Sequence, residues 1–252
     1  MLRTRVIPSL LLKGEGLVKT SRFKNPKYVG DPINAIKIFN DKEVDELVLL
    51  DITATNQSKG PAFETITQIA SECFMPVAYG GGIATVGQMR RILNSGVEKV
   101  ILNSVTFSDP AIVRQAADEF GSQAVIASMD VKRKLLGGYE VMSHSGTRKT
   151  GQEPVKWARR MEECGAGEIL LNAIDRDGMM GGYDLELVSR VSHAVSIPVI
   201  AAGGAGAVSD FAKATDAGAG AVSAGAMFVF HGPHRAVLIT YPTRTQLAAI
   251  GS

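Results

Sequence analysis

Eight short apolar runs alternate with amphipathic stretches along a 252-residue chain whose two halves resemble each other. This alternation and the internal repeat predict an α/β fold: a single closed (β/α)8 TIM barrel with a two-fold internal repeat. Each run is rich in Val, Ile and Leu and bounded by Gly, Pro, Asp or Asn, as strands buried on both faces are. Strand followed by helix, repeatedly, requires right-handed crossovers and a parallel sheet. Glu46-Leu47-Val48-Leu49-Leu50 reads like Glu168-Ile169-Leu170-Leu171-Asn172, and Pro76-Val77 before Gly81-Gly82 recurs as Pro198-Val199 before Gly203-Gly204. A repeat of this extent favours one duplicated domain over residues 1–252, with half-barrels at roughly 1–122 and 123–245. A doubly wound open sheet does not readily explain two equivalent halves.

In chain order the predicted strands are 5–12, 46–52, 76–79, 98–103, 124–130, 168–174, 198–202 and 220–224. Residues 15–30 read as a long loop after the first strand. Helical spacing covers Pro61 to Cys73, Thr85 to Ser95, Pro110 to Phe120, Pro154 to Cys164, Leu185 to Val195 and Val208 to Ala217. Asp109 before Pro110 has the form of an N-cap followed by a first-turn proline, and Asp184 before Leu185 is a second cap. The stretch 132–152, centred on Gly137-Gly138, predicts a small hairpin after the fifth strand. Both excursions fall on the C-terminal face, where barrel enzymes place their active sites.

A hydrophobic fraction of 45% suits a sizeable core. No apolar run approaches the roughly 18 residues of a membrane span, and the start lacks the order of a signal peptide. Cys73 and Cys164 each lie inside a helical pattern, which fits buried thiols in a reducing, cytoplasmic compartment. A net charge of +2 gives no reason to expect nucleic acid as a partner. The basic cluster Lys19, Arg22, Lys24, Lys27 reads either as a solvated loop or as a grip for a phosphorylated small molecule.

Two glycine clusters carry the strongest chemical signal. Tyr79-Gly80-Gly81-Gly82-Ile83 follows the third strand and Ala202-Gly203-Gly204-Ala205-Gly206 the seventh. Glycine there lets backbone N–H groups approach an anion, and the next helix N-terminus adds a favourable dipole. Asn103-Ser104 and Gly225-Ala226, after the fourth and eighth strands, complete the two pockets, and only the first keeps a hydroxyl. The expected ligand is elongated, with a phosphate at each end. Proton-moving candidates at strand ends are Asp51, Asp130, Asp175 and Asp177, with Asp130 raised toward useful acid–base values by burial or else salt-bridged to Lys132. Val6-Ile7-Pro8-Ser9-Leu10-Leu11 aligns with Val125-Ile126-Ala127-Ser128-Met129-Asp130, so Leu11 stands where the second half has its carboxylate. The four histidines lack ligand spacing, and no metal or cofactor is expected. Arg5, Glu46, Lys99 and Glu168, at strand starts on the N-terminal face, read from the pattern alone as solvated charges.

The strings DELVLLDITAT, YGGGI, FGSQAVIASMDVKR, GAGEILLNAIDRDG, GGYDLEL and IPVIAAGGAG resemble the cyclase subunits of imidazole glycerol phosphate synthases, from about residue 1 to 230. The resemblance implies a barrel that receives ammonia from a glutaminase subunit and uses it on a bis-phosphorylated ribulosyl aminoimidazole carboxamide compound in histidine biosynthesis. By position it implies Asp130 as one of two catalytic aspartates, Lys19 as the lysine closing over substrate, and Asp177 beside it. It implies Gly82, Asn103 and Ser104 at one phosphate, and Asp177, Gly204 and Gly225 at the other; Gly81, Gly203 and Ala226 adjoin them in the two pockets read from the glycine clusters. It implies Arg5, Glu46, Lys99 and Glu168 as an ammonia gate, which reverses the solvated reading, and Glu98 as a contact to the glutaminase. The departures are Leu11, in place of the second aspartate, and Asn172 and Ala226, in place of hydroxyl residues. Losing one acid–base role costs about 10²–10⁴-fold in rate. An intact gate with weakened cyclase chemistry resembles specialised paralogues that channel ammonia for amidino-sugars of surface polysaccharide (lipopolysaccharide) pathways. A non-catalytic ammonia conduit is the remaining alternative.

Overall fold

The computed structural model describes residues 4–248 and 250; the remaining positions, at the margins of the expected 1–252 domain, lie outside the described residues. The barrel strands are β1 (Arg5–Lys13), β4 (Leu47–Asp51), β5 (Val77–Gly80), β6 (Lys99–Leu102), β7 (Val125–Arg133), β10 (Glu168–Ala173), β11 (Val199–Ala202) and β12 (Ala221–Ala224). Each pairs in parallel with the next, and β12 pairs with β1 through Arg5↔Ala221 to Pro8↔Ala224, which closes the sheet. All eight expected strands are present, within a few residues at their ends.

The expected loop 15–30 is instead a hairpin, β2 (Gly16–Ser21) and β3 (Lys24–Gly30), with β2 continuing antiparallel onto β1 through Leu11↔Val18. No alternation signals this hairpin: β2 buries Leu17, Val18, Lys19 and Thr20 in succession, and β3 opens with five exposed residues before the buried Val29. The hairpin after the fifth strand forms as expected, from β8 (Tyr139–Ser143) on β7 and β9 (Arg148–Lys149) on β8.

The six expected helices are α2 (Phe63–Glu72), α3 (Val86–Leu93), α5 (Ala111–Phe120), α6 (Pro154–Glu163), α7 (Leu185–Ser192) and α8 (Val208–Asp216). Sequence reading missed α1 (Pro32–Asp41), although Asp31 caps Asn34 N–H and Pro32 opens the first turn. It also missed the short α4 (Val105–Ser108), α9 (Ala226–Val229) and α10 (Arg244–Ala248), too brief to show a period. Asp109 lies one residue further from its helix than expected; Pro110 is the cap and Asp109 Oδ1 accepts from Ala111 N–H at 3.1 Å. Cys164 is buried and Cys73 only half-buried, and both stand just past their helices; burial pushes the Cys73 thiol up to about 11, which keeps it protonated.

Strand alternation sorts side chains between the barrel axis and the helices. Ile7, Val48, Ala78, Ile101, Ile126, Leu170, Ile200 and Ala221 meet on the axis as an apolar belt separate from the larger core under the helices. Two residues further along the strands come Ser9, Leu50, Gly80, Asn103, Ser128, Asn172, Ala202 and Ser223, the floor of a cavity on the C-terminal face.

Asp184 ties the barrel to its fifth-strand hairpin. Its Oδ1 accepts from Leu187 N–H at the start of α7 and from the Tyr139 hydroxyl at 2.9 Å, and Arg133 pairs with Oδ2. Asp184→Ala removes a helix cap and one acceptor of the Tyr139 hydroxyl, which keeps Glu186 Oε2 at 3.2 Å, so urea unfolding should show a loss of about 1–2 kcal/mol. A loss below about 0.5 kcal/mol would mean that water replaces Asp184 fully.

Candidate active site

The cavity holds about 1180 Å³ and opens at the C-terminal ends of the strands. Its candidate aspartates divide by environment. Asp51 Oδ1 accepts from Thr53 N–H, Thr53 Oγ1 and Ala54 N–H, which makes it the cap of its own turn. Asp175 Oδ2 accepts from Arg133 N–H at 2.8 Å, also a structural role. Asp177 Oδ2 accepts from Thr20 Oγ1 at 2.8 Å, and its carbonyl accepts from Arg22 N–H, so it pins the first-strand hairpin across the barrel mouth.

Asp130 differs. It ends the inward row Ile126, Ser128, Asp130 on β7, is 8% exposed, and has one hydrogen bond, from Asn103 Nδ2 at 2.9 Å. No ion pair to Lys132 forms. Burial raises its pKa to about 7, against the pull of the Asn103 bond and with help from Asp177. Asp130 therefore exchanges its proton near neutrality, as an acid–base group should.

Lys19 lies on β2 with its Nζ turned into the barrel, donating to Ser9 O at 2.7 Å. Burial lowers its pKa to about 8, opposed by Asp177. A Cβ at Gly225 would collide with Lys19 Nζ, so that glycine is needed to seat the lysine, whatever else it binds. The cluster at 19–27 thus splits: Lys19 is buried, whereas Lys24 and Lys27 are exposed.

The two glycine loops stand on opposite sides of the mouth, four strands apart. Gly82 (φ 67°) and Gly204 (φ 122°) both adopt backbone that glycine favours, and a Cβ on either would strike a neighbouring carbonyl, of Lys59 or of Gly182. Ser104 Oγ accepts from His144 N–H at 2.9 Å, which leaves its own proton for a ligand. One N–H of the Asn103 amide is given to Asp130, which leaves the second N–H and the main chain for an anion, and its Oδ1 is buried without a partner among the described residues. Gly81 and Gly203 line the cavity next to their partners, and Ala226 is buried at the start of α9, the apolar counterpart of Ser104. Leu11 lines the same cavity and is 8% exposed.

At the opposite end of the axis, four charges form a closed ring. Arg5 donates to Glu46 at 2.6 Å and to Glu168 at 2.9 Å; Lys99 Nζ lies 3.0 Å from Glu46 and 2.9 Å from Glu168. Burial pushes Glu168 up, and the hydrogen bonds from Arg5 and Lys99 more than reverse it, leaving its pKa below the usual value. The solvated reading is overturned: Glu46 and Glu168 are buried and each accepts from both cations. Glu98 sits beside the ring, exposed, on the loop before β6.

Sequence reasoning missed His144, a half-buried imidazole in the cavity wall. The available signal was Ser143-His144-Ser145-Gly146, turn-forming residues inside the expected hairpin. Among the described residues no group of three His, Cys, Asp or Glu converges as a metal site, and no helix is long and apolar enough to cross a membrane.

Residues 5–234 match the family model described as histidine biosynthesis protein. The chain is 52% identical over 248 residues to the Pseudomonas aeruginosa protein named "Putative imidazole glycerol phosphate synthase subunit hisF2", covering 98% of this chain and 99% of that one. It is 49% identical over 251 residues to the hisF3 protein of Vibrio vulnificus, named in the same words, covering 98% of this chain and 95% of the relative. It is 47% identical over 214 residues to imidazole glycerol phosphate synthase subunit HisF of Alkaliphilus metalliredigens, covering 85% of each.

The Asp130 pKa has a stability consequence. The native state keeps a proton that the unfolded chain gives up above its ordinary value of 3.8, so stability falls as pH rises from there to about 7 and is level beyond. Asp130→Asn lacks this loss. Urea unfolding should therefore show the variant gaining on the natural protein between pH 4.5 and 8, by at most about 4 kcal/mol. An equal difference at both pH values would mean that Asp130 is solvated.

Proposed function

The chain belongs to the histidine biosynthesis protein family, and from that premise we propose that it is the cyclase-type subunit, a lyase, of an imidazole-glycerol-phosphate-synthase-like complex. In this reading a cytoplasmic glutaminase partner docks on the N-terminal face around Glu98. Ammonia passes the ring of Arg5, Glu46, Lys99 and Glu168 and crosses the apolar belt, which admits a neutral molecule better than an ion. A bis-phosphorylated ribulosyl aminoimidazole carboxamide compound lies across the cavity between the two glycine loops. One observation carries the reading: Asp130, buried and titrating near neutrality, lies between two glycine-lined loops, with the charged ring at the far end of the same axis.

Each residue then has a chemical task. Gly81, Gly82 and Ser104 supply donors to one phosphate, and Gly203, Gly204 and Gly225 to the other. Asp130 transfers a proton at the reacting atoms. Lys19, near pKa 8, holds a positive charge over the substrate and releases it with little cost. The two half-barrels, meeting near residue 122, contribute one phosphate loop each. The mild net charge and local basic groove favour a small phosphorylated ligand over nucleic acid.

Leu11 favours a second reading, because it presents a side chain that moves no protons to the cavity holding Asp130. Here the barrel receives ammonia and a phosphorylated ligand for amidino-sugar synthesis and turns over the histidine-pathway substrate slowly.

Turnover of that substrate with ammonium salts, which bypass the glutaminase, separates the readings. We expect a rate about 10²–10⁴-fold below that of a family cyclase with both aspartates, a gain in Leu11→Asp, and no activity in Asp130→Asn. A rate equal to that cyclase would eliminate the second reading; full activity in Asp130→Asn would eliminate the first. Lys99→Met leaves Glu46 and Glu168 with Arg5 alone, which costs several kcal/mol when a buried pair is broken. It should lower glutamine-dependent turnover more than ammonium-dependent turnover, and equal losses would show that the ring is structural only.

A further inference from the structure

We propose that His144 grips the anion of the first glycine-lined site through its imidazole, adding a titratable donor to Gly82 and Ser104. The inference rests on the reading of that loop as a phosphate site. The topology puts the residue there. Strand β5, whose loop carries Gly81-Gly82, lies between β4 and β6 in the barrel. The turn at residues 143–146 reaches both flanking strands: His144 N–H donates to Ser104 Oγ after β6 at 2.9 Å, and Ser145 Oγ donates to Ile52 O after β4 at 3.0 Å. The turn therefore bridges the glycine loop from one side to the other.

His144 (φ 52°) and Ser145 (φ 53°) both hold left-handed backbone, which non-glycine residues adopt only when the surroundings impose it. Next to the ring, Ser143 Oγ is 3.1 Å from Nδ1 and fixes its orientation. Nε2 has no partner among the described residues, so the nitrogen that remains is the one available to a ligand. Burial and Arg148 lower the His144 pKa in the empty site. The other charged side chains of the cavity wall are Lys149 on the same hairpin, Asp51 and Lys59 after β4, Asp130 on β7, and Lys13, Lys19 and Asp177 across the mouth. A bound dianion adjacent to Nε2 favours imidazolium against that cationic surround.

Sulfate is the probe, because its charge is constant between pH 5.5 and 8. Amide signals of Gly82 and Ser104 report the first site, those of Gly204 and Gly225 the second. In the natural protein, sulfate should raise the His144 pKa by about 1, so that affinity read at Gly82 is about tenfold higher at the acid limit than at the alkaline limit. In His144→Asn that dependence should diminish at Gly82, where Asp130 still titrates one hydrogen bond away from Asn103, and be unchanged at Gly225, beside Lys19. Direct titration of the His144 ring in the natural protein gives the same answer without a variant. An unmoved His144 ring, or undiminished pH dependence at Gly82 in the variant, overturns the proposal while leaving the phosphate site standing. No sulfate response at Gly82 and Ser104 at any pH removes the phosphate site itself, and this inference with it.

Discussion

Closure of the sheet between β1 and β12 imposes a single order on everything that points inward. Once the barrel is closed, every second residue of each strand lies on the axis, at a height fixed by register. Along β1 that order is Arg5, Ile7, Ser9, Leu11; along β10 it is Glu168, Leu170, Asn172. Charge at the bottom, hydrocarbon above it, small polar groups next and a cavity at the top follow directly. A one-residue slip of β1 or β10 would send Arg5 or Glu168 to the helices and an aliphatic side chain to the cavity.

The ring at the bottom and the carboxylate at the top solve the cost of burying charge in opposite ways. Arg5, Glu46, Lys99 and Glu168 each meet partners of the other sign within hydrogen-bond distance, so the cost of burying each charge is offset by its neighbours. Asp130 has one neutral partner, and its environment shifts its protonation instead. The same strands thus carry a charge-balanced ring at one end and a proton-exchanging site at the other. Lys19, held by a carbonyl and not by a carboxylate, follows the second pattern with the opposite sign.

Most of the barrel was legible in the sequence because buried parallel strands are continuous apolar runs, and the repeat tested each assignment against its counterpart. The hairpin at 16–30 was not, since its exposed residues Lys24 to Tyr28 carry polar groups at consecutive positions and its hydrophobic contacts are only Leu17, Val18 and Val29. Helix α1 has a cap and a first-turn proline, but the exposed Ile38 beside the buried Ala35, Ile36 and Phe39 blurs its apolar period. In the site, Asp130 and the glycine loops could be named from strand ends alone. Which of Asp51, Asp130, Asp175 and Asp177 was free could not, because it depends on main-chain N–H groups brought in from turns and neighbouring strands. His144 was invisible for a related reason: its turn is placed by hydrogen bonds from His144 to Ser104 and from Ser145 to Ile52, both distant in sequence.

The asymmetry between the halves bears on the proton chemistry of the site. Two carboxylates in one cavity titrate as a pair, because ionising one raises the pKa of the other, and the activity then shows two macroscopic steps. With Leu11 in the cavity wall, Asp130 lacks that partner and is raised mainly by burial, to which an aliphatic wall adds. The remaining group near neutrality, Lys19, is a cation acid on a hairpin that Asp177 and Thr20 hold over the mouth. Lys19 therefore takes its place in the cavity from the hairpin, through the Thr20–Asp177 bond and its own bond to Ser9 O, whereas a carboxylate on β1 would have been placed by the barrel itself. With Leu11 on the first strand, the group titrating near neutrality on that side of the cavity is Lys19, and the contacts of its hairpin with Asp177 and Ser9 set where that group stands.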